Sequence, residues 1–269
     1  MKNSILSIWA LACIVIIVSC DDNNEIVTSA TGSVTIRFDN VVGEEEVALV
    51  PYKFNESFSF TNSMNQNFNI DVLGYYITQI KLVGTGETMD YIDSVTVSAE
   101  SAEGVYHILE HEASSQMINF NDIPQGNYDR IEFTLGVPGE MVMEGATGGV
   151  LDPSNGAWFW NWNVGYVAFM LEGNSAASGL EESDHFLFHI GGWGETNNIK
   201  SIGLDLPVSL TVSNGSTSMT HIKMDVLKVI SGVNNVDFSS TYQVHSPAAG
   251  QPIAENLINA FQVHHVQNN

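Results

Sequence analysis

Cysteine is almost absent from the 269-residue sequence, which contains only Cys13 and Cys20. Cys13 lies inside an apolar N-terminal run, and Cys20 ends that run. The chain that follows has no thiol, which excludes a disulfide framework from the folded domain. A metal site in this protein must therefore be built without cysteine.

Basic side chains are also scarce. The chain has 8 Lys and Arg residues against 31 Asp and Glu residues, which gives a formal net charge of −23 at pH 7. A surface of this sign repels phosphate backbones and anionic lipid headgroups. We therefore expect no nucleic acid partner.

Sequence motifs of the common enzyme classes are missing as well. The chain has no GxSxG nucleophile elbow, no HExxH pair, no phosphate-binding loop and no nucleophilic cysteine. These absences favour a protein without catalytic activity.

The N-terminus has the features of a secretory signal. Lys2 is followed by an apolar run without charge, too short and too one-sided for a spanning helix. The run ends in IVSC, which resembles a bacterial lipobox and implies cleavage before Cys20 and lipidation of that residue. We predict a signal peptide over residues 1–19, a lipidated tether over 20–32, and attachment to the outer membrane or cell surface through Cys20. The alternative is an ordinary signal peptide in which the cysteine is incidental.

Residues 33–269 have the pattern of an all-β domain. Val34, Ile36 and Phe38 alternate with polar residues, and similar alternation recurs in short segments that glycine-rich or proline-rich turns separate. We predict an antiparallel β-sandwich with one or two short helices. One helix is expected over residues 252–261, and a strand is expected over residues 218–229.

Three of the five tryptophans, Trp158, Trp160 and Trp162, stand at alternate positions. In an extended chain their indoles would share one face, either filling a core or lining a site. A single strand from 157 to 171 would be unusually long, so we expect a break at residues 163–165. Met141 and Met143 flank one residue and would share a strand face near these tryptophans.

Four segments together resemble the MbnP-like copper-binding family. They are LGYYITQIKL at 73–82, IPQGNYDRIEFTLGV at 123–137, WFWNWNVGYVAFMLEG at 158–173 and FLFHIGG at 186–192. The resemblance covers the chain from about Ser33 to the end, and Asp21 and Asp22 resemble the export signal of Bacteroidetes surface lipoproteins. The resemblance to the MbnP-like family implies a secreted or outer-membrane β-sandwich. In some members a di-haem peroxidase-like partner oxidises one tryptophan to kynurenine, which binds copper together with histidines.

Histidine spacing narrows the choice of copper ligands. His185 and His189 are four residues apart on a predicted strand, so they face the same way about 13 Å apart and cannot chelate one ion together. A copper site needs one of them with a residue from another strand, and a Trp or Met of residues 141–173 is the natural third member. His189 is the first choice because it belongs to the FHIGG segment, and His245 lies in a loop at a sandwich end. Adjacent His264 and His265 are not expected to face one site in an extended chain.

The sequence therefore predicts a non-catalytic, lipid-anchored copper-binding protein. Its candidate metal ligands are His189, His185 and His245, and its candidate cofactor-binding residues are Trp158, Trp160 and Trp162. A surface glycan-binding or adhesion lipoprotein without metal is the alternative, with the indoles as a stacking platform. A purely structural sandwich of an envelope assembly is a third possibility.

Overall fold

The computed structural model describes residues 30–51, 57–145, 147–180 and 183–269. The signal peptide and the lipidation site predicted at Cys20 lie outside these residues and stay predictions.

The described chain is dominated by strands, and its helices are short. The strands are β1 (Thr31–Val42), β2 (Glu45–Glu46), β3 (Phe60–Thr61), β4 (Asn67–Gly84), β5 (Tyr91–Ile92), β6 (Thr96–Val97), β7 (Ala102–Glu103), β8 (Val105–Leu109), β9 (Met117–Pro124), β10 (Gly126–Leu135), β11 (Phe159–Asn161), β12 (Gly165–Asn174), β13 (His185–Gly191), β14 (Lys200–Val212), β15 (Thr217–Asp225), β16 (Gln243–Val244) and β17 (Phe261–Gln267). The helices are α1 (Gly139–Met143), α2 (Val226–Ile230) and α3 (Pro247–Leu257), with 3₁₀ turns at Gly149–Leu151 and Pro153–Asn155.

These strands form two main sheets. The five-stranded sheet has the order β17, β15, β1, β2, with β9 also paired to β1, and the ten-stranded sheet has the order β14, β10, β4, β12, β13, β16. In the larger sheet β3, β5 and β8 also pair with β4, and β11 pairs with β12; β6 and β7 form a separate small ribbon. The pairs β1 with β15 and β13 with β16 are parallel, whereas the other pairs are antiparallel. The predicted all-β sandwich is therefore confirmed.

The main core lies between the two sheets. The alternating residues of β1 and β4 place one side chain in two against the facing sheet, and Phe38 and Tyr75 are fully buried there. The Phe38 ring packs edge-on against Tyr75, Phe133 and Phe261 at centroid distances of 5.9–6.5 Å. The buried Tyr75 hydroxyl donates to Asn40 Oδ1 at 2.9 Å, so the polar atom is satisfied within the core.

A second apolar cluster covers part of the outer face of the ten-stranded sheet. Its buried members are Tyr76, Val105, Val137, Met141, Val142, Leu151 and Tyr166, and Trp158, Phe159 and Trp193 pack against them. Tyr76 and Tyr75 are adjacent on β4, so one faces each cluster. This second cluster supports the tryptophan-rich segment above the sheet.

Three predicted element boundaries were wrong: the end of one strand and both ends of the C-terminal helix. The strand expected to Val229 ends at Asp225, whose side chain accepts from the Leu227 N–H and starts α2. The C-terminal helix begins at Pro247, five residues earlier than predicted, because Ser246 caps it by accepting from the Ala249 N–H. It ends at Leu257 rather than at residue 261.

The methionine pair expected on one strand face lies instead in α1. A helix separates residues two positions apart, so Met141 is buried in the second cluster and Met143 is exposed. No helix among the described residues is long and apolar enough to span a membrane.

Candidate metal centre

A row of register partners crosses the outer face of the ten-stranded sheet. Gly74 of β4 is opposite Met170 of β12, and Met170 is opposite His189 of β13. Cross-strand partners point to the same face, so Met170 and His189 are side-by-side neighbours on the outer face. The partners one position away, Tyr75, Phe169 and Phe188, belong to the core on the other face.

His245 joins this row from a distant part of the chain. β16 is parallel to β13, with Leu187 opposite Gln243 and Phe188 opposite Val244. The next position in this register places His245 beside His189, with ring centroids 4.5 Å apart. Their Nδ1 atoms are 3.1 Å apart. The structure thus brings together two of the three histidines predicted as metal ligands.

Glu172 holds the far side of the His189 ring. Its Oε1 lies 2.6 Å from His189 Nε2, and both side chains are about four-fifths buried. A carboxylate only accepts hydrogen bonds, so the proton of a neutral His189 ring resides on Nε2. His189 Nδ1 is therefore the acceptor of the hydrogen bond from His245 Nδ1. This carboxylate–histidine arrangement is the usual support of a metal-binding imidazole.

Burial favours the neutral form of His245. Its pKa is lowered from the ordinary value by burial and by neighbouring His189, and Glu172 opposes this effect. The neutral form is the one that binds metal ions. Burial of His245 therefore favours the form that can donate a lone pair to a cation.

Trp158 lies next to this row, above Gly74. A Cβ atom on Gly74 would be only 2.8 Å from Trp158 Cη2, so the glycine creates the space in which the indole rests on the sheet. Gly74 and His189 are two strand spacings apart, about 10 Å, with Met170 between them. Of the three predicted tryptophans, Trp158 is the one that this contact places beside the row.

His107 forms the other wall around Trp158. Its ring stacks on Tyr76 at 4.1 Å and meets the Trp158 ring edge-on at 4.4 Å. Burial, and to a smaller extent His111, lower the pKa of His107 to about 4. Within the described part of the chain, its Nε2 is buried without a hydrogen-bond partner. His107 is therefore a neutral, packed imidazole at physiological pH.

Trp162 does not share a face with Trp158, and the predicted alternation is wrong at this position. The register of β11 against β12 shifts between Phe159 and Asn161, and the strand ends at Asn161. Trp162 lies in the turn, 53% exposed, with its ring 5.2 Å from Phe159. Trp160 is half-buried. The expected break is present, because residues 162–164 form the turn of a hairpin into β12.

His185 lies on the same face of β13 as His189 but at the other end of the strand. Its register partner is Asn174, whereas that of His189 is Met170. Its backbone carbonyl accepts a hydrogen bond from Ser178 Oγ at 2.5 Å. The structure does not bring His185 to the His189 and His245 pair.

Sequence reasoning missed Glu172 and Trp193 near the site, and it included Met170 only as a member of the 141–173 range expected to supply a third ligand. Glu172 and Met170 alternate in FMLEG, but their closeness to His189 depends on strand register. Trp193 packs over Gly139 and Gly165, where a Cβ would lie 2.5 and 2.9 Å from the indole. It lines a surface cleft of about 320 Å³ with Ser246 and Pro247, directly after His245.

The arrangement can hold a metal ion through two imidazole nitrogens. Two nitrogens bound to one tetrahedral ion at about 2.0–2.1 Å lie about 3.3 Å apart, close to the observed 3.1 Å. Among the described residues, no group of three or more His, Asp or Glu side chains is arranged to hold a metal. Glu172 faces the opposite nitrogen of His189, so it does not join the two Nδ1 atoms as a third donor.

Comparisons with known proteins agree with this fold. No curated protein matches the sequence at a significant level. The solved structure of MbnP from Methylosinus trichosporium is similar, with a TM-score of 0.52 and 16% sequence identity, covering 76% of this chain and 79% of that one. A model of the MbnP family matches residues 31–246, most of the sequence. The chain belongs to the MbnP family.

Proposed function

We propose that this protein is a non-catalytic, extracytoplasmic copper-binding protein anchored by lipid on Cys20. The observation that carries the proposal is the approach of His189 Nδ1 and His245 Nδ1 to 3.1 Å, with Glu172 fixing the far side of His189. Two distant parts of the chain meet at this point. A histidine that is only solvated at the surface needs no such partner.

The donor types favour copper. Imidazole suits copper and zinc, and a thioether selects for copper(I). Met170 supplies a thioether beside His189, whereas no thiolate is present in residues 21–269. Copper(II) also binds nitrogen donors more strongly than the other divalent first-row metals do.

Each side chain has a separate task at this site. His189 and His245 donate lone pairs from Nδ1, and Glu172 keeps the His189 proton on Nε2. A hydrogen bond joins the two Nδ1 atoms, so His245 must carry its proton on Nε2 rather than on Nδ1 when both Nδ1 atoms donate to an ion. Copper supplies only the charge that holds these donors together.

Trp158 is the tryptophan we assign to oxidative modification. Its indole rests on Gly74, beside Met170, with His107 against its edge. Conversion to kynurenine would cleave the indole C2–C3 bond oxidatively, leave a ketone oxygen on C3 and release C2 as formate. The indole nitrogen would then be free as an aniline amine, and this nitrogen and the ketone oxygen are both possible ligands. We propose a di-haem peroxidase-like partner as the oxidant of Trp158. Trp162, on the same hairpin as Trp158, is exposed to solvent.

Copper binding is tested on the chain purified from its native host, because maturation partners are then present. We expect near-stoichiometric copper, and the His245→Asn and His189→Asn variants to lose at least about 100-fold in copper(I) affinity against a competing chelator, a loss of about 2.8 kcal/mol. His111→Asn, a change at an exposed histidine outside the site, should bind as the wild type does. Unchanged affinity in both site variants would refute the proposal.

Mass spectrometry of the same preparation tests the modification. An oxygenated Trp158 would support it, and an unmodified indole in copper-loaded protein would refute it. The peptide that begins at Cys20 would carry lipid if the anchor is correct. Oligosaccharide binding that Trp162→Ala abolishes, in a protein without copper, would instead support the glycan-binding alternative.

A further inference from the structure

A second group of histidines lies on the outer face of the five-stranded sheet. β1, β15 and β17 are neighbours there, with Arg37 opposite His221 and His221 opposite His265. Val34, Ile36 and Phe38 of β1 point to the core, so Arg37 and Asp39 point outward with these histidines. The group lies on the other outer face of the sandwich from His189.

A β-bulge in β17 brings two adjacent histidines to one place. His221 is opposite His265, but Ile222 is opposite Val263, so His264 is an extra residue in the strand. Two residues of a bulged strand oppose one residue of its partner, and strict alternation is lost. His264 Nδ1 and His265 Nδ1 are 3.0 Å apart. The expectation that adjacent histidines do not face one site holds for a regular extended strand, and the bulge removes that regularity here.

A carboxylate–histidine pair supports this arrangement. Asp39 Oδ2 lies 2.8 Å from His221 Nδ1, and its other oxygen, Oδ1, accepts from Arg37 Nε at 2.8 Å. The His221 ring stacks on His265 at 4.1 Å, with an angle of 20° between the ring planes. Since His221 and Asp39 are mostly buried, they form a fixed surface on which His265 is held.

Both histidines of the pair are open to solvent. His264 and His265 are exposed, whereas His221 and Asp39 behind them are mostly buried. An ion from solution can therefore reach the two Nδ1 atoms directly.

We propose that His264 and His265 form a second metal site, which binds a divalent transition-metal ion through their Nδ1 atoms. The site is distinct from the His189 and His245 pair in sheet, in strand and in supporting carboxylate. His221 stands in ring contact behind it, and water fills the remaining coordination positions.

The donor set defines the class of ion. It offers imidazole nitrogen and water without the thioether that lies beside His189, so it suits borderline ions such as Zn²⁺, Ni²⁺ and Cu²⁺ and does not favour copper(I). The net charge of −23 also raises the local concentration of any divalent cation.

Calorimetric titration of the chain with Zn²⁺ tests this site independently of copper. In the H189N/H245N background the first pair is removed, and we expect one remaining Zn²⁺ binding step. Adding His264→Asn should abolish that step, whereas adding His111→Asn should leave it unchanged. Absence of the step in H189N/H245N, or its survival after His264→Asn, would overturn the inference.

Two further measurements separate binding from folding. Equal thermal midpoints without metal would show that the variants fold alike, and Zn²⁺ should shift the His264 and His265 side-chain nitrogen signals in the NMR spectrum. Asp39→Asn, which changes only a supporting group, should weaken the second step by about 10–100-fold. None of these experiments measures copper(I) binding at His189. The proposal for His264 and His265 can therefore be refuted without refuting the proposal for His189 and His245, and the reverse also holds.

Discussion

The two histidine pairs have nearly the same geometry but different surroundings. Their Nδ1 atoms are 3.1 Å apart at His189 and His245, and 3.0 Å apart at His264 and His265. The first pair joins two separate strands beside a thioether, near a tryptophan held by a second apolar cluster. The second pair comes from one bulged strand and lies against the His221 ring, which the Asp39 carboxylate supports. The similar distances between the Nδ1 atoms would allow either pair to chelate a metal ion. The side chains around each pair would then determine which metal ion binds more tightly.

Acid sensitivity should distinguish the two regions most strongly. His107, beside Trp158, has a pKa lowered from 6.5 to about 4, so between these values the unfolded chain binds a proton that the folded chain does not. Stability is therefore lost as the pH falls from 6.5 to 4, by about 3 kcal/mol in total. Urea unfolding of the wild type across this range measures the loss.

The matching variant is His107→Phe, which keeps a flat ring against Tyr76 and removes the titrating group. It should unfold with a much smaller pH dependence between pH 6.5 and 4. The same pH dependence in both proteins would show that His107 is not its source.

Gly74→Ala should disturb the first region and leave the second intact. The new Cβ would lie 2.6 Å from the Ile108 carbonyl oxygen and 2.8 Å from Trp158 Cη2. Because one of these contacts is backbone, we expect a loss of about 1–3 kcal/mol of stability and a displaced indole. Denaturant unfolding and tryptophan fluorescence measure the two effects.

Gly250→Ala is the control for that change. Gly250 lies in α3, and its nearest contact would be the end of the Ile190 side chain at 3.3 Å. Alanine favours helix, so this variant should be neutral or more stable. If both variants lose the same amount of stability, the conclusion that Gly74 makes room for Trp158 is wrong.

Sequence patterns predicted much of the fold because the core depends on alternation. Val34, Ile36 and Phe38 alternate in the sequence and are buried in the structure. The site was harder to predict, because His245 reaches His189 only through the parallel register of β16 with β13. The His264 and His265 pair depends on a one-residue bulge, and no residue type in FQVHHVQ signals it.

Glu172→Gln should weaken copper binding without removing a ligand. The amide can donate as well as accept, so it no longer fixes the His189 proton on Nε2. We expect the copper(I) affinity to fall by about 10–100-fold, as is usual for groups that support a metal ligand. Competition with a copper(I) chelator measures the change, and Zn²⁺ binding at His264 and His265 serves as the internal control. An unchanged affinity would mean that Glu172 does not orient the ring.

Met170→Leu should separate the two sites by metal preference. The Met170 side chain is only 9% exposed, and leucine has nearly the same volume as methionine. The substitution should therefore lower the free energy of unfolding by less than about 1.5 kcal/mol. Loss of the thioether should lower copper(I) affinity on the order of tenfold, about 1.4 kcal/mol, while Zn²⁺ affinity at the His189 and His245 pair stays the same. Paired chelator competitions with the two metals measure this ratio. If copper(I) and Zn²⁺ weaken equally, Met170 acts through packing, and the contrast between the two histidine pairs would not lie in the thioether.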